Sequence, residues 1–129
     1  MKVMVVDDEA DIQCLFKQKF RKEIKAGQID FHFALSAKTA LEYLESPQKA
    51  SFILILSDIN MPGMTGLELL RVTKQKFPDL KFFMITAYGD ETNYQVAIDY
   101  GADDYITKPV NFEVLKNKII NLESIHNAT

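Results

Sequence analysis

Short apolar runs alternate with amphipathic segments along the whole chain, and this alternation constrains its fold more than any other feature. The runs predict five strands, at Lys2–Val6, Ile29–Leu35, Phe52–Ser57, Lys81–Thr86 and Asp104–Thr107. Apolar residues at helical spacing predict a helix after each strand, over 10–26, over 36–45, up to about 77, over 89–100 and over 111–123. Alternating strands and helices form a parallel sheet that is covered on both faces. We therefore predict an α/β, doubly wound (βα)5 sandwich of the flavodoxin-like type, with strand order 2-1-3-4-5.

The size and composition fit one globular domain. The chain has 129 residues, of which 47% are hydrophobic and 26% are charged. We predict a single domain over 1–129, with 124–129 as a frayed tail or the start of a linker. The net charge of −3 argues against direct binding of nucleic acid, which needs a basic face.

Cysteine usage and hydropathy indicate the compartment. The single cysteine, Cys14, excludes an internal disulfide and fits a reducing environment. No apolar stretch is long enough to cross a bilayer, and no signal peptide precedes the first strand. We expect a cytoplasmic protein that does not bind membranes.

Acidic residues follow two of the strands that we expect to be neighbours. Asp7 and Asp8 end the first strand, and Asp58 ends the third. Adjacent strands lie roughly 4.8 Å apart, so these carboxylates should meet at the carboxyl edge of the sheet. Carboxylates at this separation repel one another unless a proton or a cation lies between them. Hard oxygen ligands favour Mg²⁺ over Zn²⁺ as that cation. Capping of the first helix could explain one acid of Asp7–Glu9, but it does not explain Asp58.

Two further polar residues end strands at the same edge. Lys108 could supply a counter-charge for the acids, and Thr86 could donate a hydrogen bond to a phosphoryl oxygen. Taken singly, Lys108 would be a surface lysine before a proline and Thr86 an ordinary β-branched strand residue. Because both residues end strands at the edge where three carboxylates are expected, we favour a metal-assisted phosphoryl-transfer site.

Four segments resemble the motifs of one family, in that family's order and spacing. This family is the receiver domain of two-component response regulators, and the segments are Val5–Glu9, Ser57–Gly66, Ile85–Ala87 and Gly101–Pro109. The resemblance implies that Asp58 accepts a phosphoryl group from the phosphohistidine of a sensor histidine kinase or phosphotransfer protein. It also implies a cis peptide bond before Pro109.

The resemblance assigns roles to the remaining site residues. Asp8, Asp58 and the backbone carbonyl of Asn60 would bind Mg²⁺ directly, and Asp7 would act mainly through water. Mn²⁺ is expected to substitute. Lys108, Thr86 and the backbone N–H of Ala87 would bind phosphoryl oxygens.

The resemblance further implies a conformational switch. Thr86 would move toward the phosphoryl group, and Tyr105 would turn inward. This change would alter the face formed by the helix over 89–100, the fifth strand and the last helix, which would control an unknown downstream partner or effector. Tyr105 could equally be an ordinary strand aromatic. Asn60 and Tyr88 occupy positions at which the family varies its hydrolysis rate.

Two other functions compete with a signalling receiver, which assists its own phosphorylation and dephosphorylation but is not a turnover enzyme. The first is a Mg²⁺-dependent phosphatase with an aspartyl nucleophile, which usually needs a second acid where this chain has Asn60. The second is a flavin or nucleotide module. No G-x-G-x-x-G follows the first strand, and no G-x-x-x-x-G-K-[ST] occurs in the sequence.

Overall fold

Five parallel strands form one sheet in the predicted order. The computed structural model describes residues 1–46, 52–87 and 91–128, and the side chains of all of these except residues 91 and 123–128. The sheet order is β2-β1-β3-β4-β5, and every neighbouring pair is parallel. The strands are β1 (Lys2–Val6), β2 (Asp30–Ala34), β3 (Phe52–Asp58), β4 (Lys81–Thr86) and β5 (Asp104–Thr107). The predicted doubly wound architecture is confirmed.

Helices connect the strands, with two departures from the predicted bounds. Those described are α1 (Asp11–Lys19), α2 (Arg21–Lys25), α3 (Ala37–Glu45), α4 (Gly66–Lys76), α5 (Glu91–Asp99) and α6 (Phe112–Ala128). The single helix predicted over 10–26 is divided at Phe20, and α6 continues to Ala128 beyond the predicted end at Glu123. The predicted start of α5 at Gly89–Asp90 lies outside the described residues.

The division at Phe20 follows from the packing of its ring. The backbone there has φ −104° and ψ 19°, yet the N–H of Phe20 still donates to the Phe16 carbonyl at 2.9 Å. The ring is fully buried, with its centroid 5.9 Å from that of Phe16 and 5.0 Å from that of Phe31 on β2. The backbone angles therefore leave the helical range at one buried residue while the apolar spacing stays helical, which is why the sequence pattern predicted one helix.

Both faces of the sheet are buried, as a parallel sheet requires. Met4, Val6 and Ile55 face one apolar cluster, which includes residues of α3 and α4. Val5 and Leu56 face a second cluster on the opposite side, which includes residues of α1 and α6. Because the two faces fix the register of the central strands, the residues that follow them are held at one edge.

Candidate functional site

Three carboxylates meet at the carboxyl edge of the two central strands. Asp7 and Asp8 follow β1, and Asp58 is the last residue of β3, whose register pairs Val6 with Ser57. One carboxylate oxygen from each of the three acids lies within 4.8 Å of the others. Asp7 and Asp58 are each only 7% exposed, while Asp8 faces solvent. The structure thus brings the predicted acidic residues together with one open side.

Burial makes the charge on Asp7 costly. Desolvation is the largest influence and raises the pKa of Asp7, and the negative charge of Asp58 raises it further. The backbone N–H of Glu9 donates to Asp7 Oδ1 at 2.9 Å and partly offsets this rise. A cation bound among the three acids would remove the repulsion, so the donor set fits a hard divalent ion.

Lys108 supplies the positive charge predicted from the sequence. Its Nζ lies 3.2 Å from Asp58 Oδ2, and its backbone N–H donates to the Thr86 carbonyl at 2.7 Å. Burial acts to lower the pKa of Lys108, but the hydrogen bond to Asp58 and the charges of Asp58 and Asp7 raise it overall. Lys108 therefore stays protonated beside the acids. The Lys108–Pro109 peptide bond is cis, as predicted.

Thr86 carries a hydroxyl for which the described residues offer no hydrogen-bond partner. The residue ends β4 and is 1% exposed. A buried hydroxyl without a partner is costly, so this oxygen is available to a group that enters the site. Ala87 and Asn60 are exposed in the loops that follow β4 and β3. Tyr88 lies outside the described residues.

Tyr105 on β5 lies against the neighbouring helix α5. It is half-buried, and its ring meets that of Tyr94 edge-on, with centroids 4.6 Å apart and an interplanar angle of 81°. Tyr94 and Ile98 are 45% and 42% exposed. One aromatic pair thus links β5 to an apolar patch on the outer face of α5.

Two residues that lie against the backbone carbonyl of Asp58, Ser57 and Gly66, were not predicted from the sequence as site residues. Ser57 is fully buried, and its hydroxyl donates to the Asp58 backbone carbonyl at 3.0 Å. A Cβ at Gly66 would lie 2.1 Å from the same carbonyl oxygen, so only glycine fits there. The signal for Ser57 was its polarity within an apolar strand, but the contact at Gly66 depends on the tertiary fold.

The arrangement combines a candidate nucleophile, three acids that fit a cation and donors that could meet developing charge. The carboxylate of Asp58 can attack phosphorus, since a lysine ammonium and a free hydroxyl lie at the same edge. Phosphoryl transfer demands little more than such positioning and charge neutralisation.

Comparisons with known proteins agree with this geometry. Residues 3–120 match the family model described as "Response regulator receiver domain". The chain is 34% identical over 119 residues to the cyclic di-GMP phosphodiesterase of Thermotoga maritima, covering 92% of this chain and 30% of that protein. It is 37% identical over 117 residues to the two-component response regulator ARR14 of Arabidopsis thaliana, covering 91% of this chain and 29% of that protein.

A solved structure shares the whole fold. The crystal structure of a CheY-like response regulator receiver domain protein from Methanospirillum hungatei JF-1 superposes with a TM-score of 0.84 at 32% identity, covering 99% of this chain and 98% of that chain. The chain spans about a third of the length of the two curated relatives above, at 30% and 29%. Among the described residues, no helix is both long and apolar enough to cross a membrane.

Proposed function

This chain belongs to the response regulator receiver domain family, and on that premise we propose that Asp58 is its phosphoacceptor. The observation that carries the proposal is the position of the Asp58 carboxylate, which lies 3.2 Å from the Lys108 ammonium and within the acidic cluster. The phosphoryl donor is the phosphohistidine of a sensor histidine kinase or a phosphotransfer protein. The domain acts as a switch rather than as a turnover enzyme, and it assists its own phosphorylation and dephosphorylation.

In the transfer step, a carboxylate oxygen of Asp58 bonds to phosphorus. The bond between phosphorus and the imidazole nitrogen breaks and leaves its electron pair on that nitrogen. Lys108 neutralises Asp58 at rest and moves to a phosphoryl oxygen afterwards, while Thr86 Oγ1 and the N–H of Ala87 donate to the others. The open face beside Asp8 admits the donor.

A divalent cation belongs to this site by the chemistry of its donors. Asp8, Asp58 and the backbone carbonyl of Asn60 would hold Mg²⁺ or Mn²⁺, with Asp7 acting through water. When bound, the ion neutralises charge on the carboxylates and on the phosphoryl oxygens. Its absence would leave Asp7 and Asp58 in repulsion, as the raised pKa of Asp7 indicates.

The switch connects Thr86 to the surface through Tyr105. The phosphoryl group adds charge and acceptor oxygens, which attract the unpartnered hydroxyl of Thr86. Movement of Thr86 vacates space into which Tyr105 turns, and this breaks the edge-on contact with Tyr94 on α5. The face formed by α5, β5 and α6 then presents a different surface to a downstream protein or effector domain.

Asn60 and Tyr88 are the two residues that we expect to set the lifetime of the acyl phosphate. Asn60 is exposed two residues after Asp58. Tyr88 follows Thr86 by the same interval in the sequence and lies outside the described residues; replacing it with alanine is expected to speed the loss of the phosphoryl group. The compartment we propose is the cytoplasm, and this domain makes no direct contact with nucleic acid or membrane.

Mass analysis after incubation with acetyl phosphate and Mg²⁺ tests the proposal. We expect one added phosphoryl group on Asp58, lost slowly as inorganic phosphate, and no adduct in Asp58→Asn or without a divalent cation. A stoichiometric adduct on another residue would contradict the assignment of Asp58. Many turnovers of unrelated phosphoesters would instead establish a phosphatase.

A further inference from the structure

Ser57 is a buried polar residue in the central strand of the sheet. It is 0% exposed, and its register partners are Val6 on β1 and Met84 on β4. A hydroxyl in such a place costs free energy unless it is hydrogen-bonded. The Ser57 hydroxyl meets this requirement by donating to the backbone carbonyl of Asp58 at 3.0 Å.

The peptide that follows Asp58 is fixed on its other sides as well. The Ile59 N–H donates to the Ile85 carbonyl of β4 at 3.1 Å, and the Ile59 carbonyl accepts from the Gly66 N–H at 2.8 Å. The absent side chain of Gly66 lets the start of α4 rest directly on the Asp58 carbonyl, since a Cβ there would lie only 2.1 Å from that oxygen. Within the described part of the chain, the Ser57 hydroxyl is the one side-chain group that holds this peptide, and it binds the backbone carbonyl of Asp58 itself.

We propose that Ser57 is a positioning residue for phosphoryl transfer, which sets the orientation of the Asp58 carboxylate by holding the adjoining carbonyl. This inference rests on the proposed role of Asp58 as phosphoacceptor. Rotation of the peptide between Asp58 and Ile59 would turn the carboxylate away from Lys108 Nζ and displace the Asn60 carbonyl. Ser57 itself touches neither the phosphoryl group nor the metal ion.

A second buried hydroxyl provides a matched control. Thr73 on α4 is also 0% exposed, and its Oγ1 has no hydrogen-bond partner among the described residues. Ser57→Ala and Thr73→Val each delete one fully buried hydroxyl, but only the first deletion reaches the Asp58 carbonyl. A general effect of losing a buried hydroxyl should therefore appear in both variants.

The test measures the phosphorylation rate of each variant as a function of acetyl phosphate concentration at saturating Mg²⁺. For Ser57→Ala we expect the limiting rate constant of adduct formation to fall about tenfold, because small misplacements of reacting groups carry penalties of this order or larger. The acetyl phosphate concentration that gives half the limiting rate should stay unchanged, because Lys108, Thr86 and Ala87 still bind the donor. Ser57→Thr, which keeps the hydroxyl, should restore the limiting rate constant, and Thr73→Val should equal the wild type.

Results that would refute the role of Ser57 differ from the result that would refute the role of Asp58. Wild-type kinetics in Ser57→Ala, an equal loss in Thr73→Val, or no recovery in Ser57→Thr would overturn the role of Ser57 while leaving Asp58 in place. If Ser57→Ala does not fold, Ser57→Cys takes its place, and its weaker donor should give an intermediate limiting rate constant; a wild-type value would again overturn the inference. Failure of the wild type to form an adduct on Asp58 would refute the proposed function instead.

Discussion

At the level of single residues, the charge on Asp7 lowers the stability of the folded protein. Asp7 is 7% exposed and close to Asp58, and these surroundings raise its pKa above the usual 3.8. Between that value and the raised value, the folded protein holds a proton that the unfolded chain has lost. The free energy of unfolding therefore falls as the pH rises through this interval, and the full penalty is present above the raised pKa.

Asp7→Asn is expected to stabilise the metal-free protein at neutral pH. Asparagine keeps an oxygen that can accept from the Glu9 N–H, but it carries no charge to desolvate. Urea denaturation should show a higher free energy of unfolding than in the wild type at pH 7, with the difference shrinking as the pH is lowered. The exposed Asp8 gives the matched variant, Asp8→Asn, in which we expect a smaller change. A less stable Asp7→Asn protein at pH 7 would contradict this account.

The residues of the acidic cluster were predictable because each follows a strand in the sequence. Asp7, Asp8, Asp58 and Lys108 all come directly after apolar runs, and parallel strands bring such positions to one edge. The contact between Gly66 and the Asp58 carbonyl was not predictable, because it joins a helix start to a strand end across a loop. The roles of Asn60, Tyr88 and Tyr105, and the movement of Thr86, came from the family resemblance and remain predictions.

At the level of elements, the segment α1–α2 is attached to α6 by a largely buried ion pair. Glu23 Oε2 lies 3.4 Å from Lys116 Nζ, and the two side chains are 14% and 19% exposed. Glu23 Oε1 has no hydrogen-bond partner among the described residues, and Lys116 Nζ also lies 5.5 Å from the centroid of the Phe20 ring. Removal of one partner would leave the other charge buried and unpaired.

We expect Lys116→Met to destabilise the protein by about 2 kcal/mol, less than for a fully buried pair because some water reaches both groups. The double variant Glu23→Met/Lys116→Met should recover most of this loss, since no unpaired charge remains. Lys118→Met removes a more exposed pair with Asp104 and serves as the control, with an expected cost of about 0.5 kcal/mol. Equal losses in Lys116→Met and Lys118→Met, measured by chemical denaturation, would argue against a special role for burial.

The strands were predicted more closely than the helix ends. All five strands fall within a residue of their predicted bounds, because an apolar run has a sharp beginning and end. The division at Phe20 could not be predicted from the sequence, because neither Phe20 nor Arg21 is a helix breaker and the apolar spacing continues through both. The extension of α6 to Ala128 shows that a polar tail is not evidence against a helix.

At the level of the whole molecule, cation binding should report on the intact fold. Anything that binds only the folded state stabilises it, by about 1.4 kcal/mol at ten times the dissociation constant. For a domain of this size we expect Mg²⁺ at that concentration to raise Tm by about 5 °C. Differential scanning calorimetry should show this shift in the wild type and its loss in Asp58→Asn. An equal shift with NaCl at matched ionic strength would indicate general screening instead.

The order in which the chain supplies its site has a consequence for biosynthesis. A ribosome delivers the three acids by residue 58, but the ammonium that neutralises them arrives only with Lys108, at the end of the outermost strand on that side. A nascent or truncated chain that stops short of Lys108 lacks the ammonium that pairs with Asp58. The complete set of charges at this edge can therefore assemble only after translation has passed Lys108, fifty residues beyond Asp58.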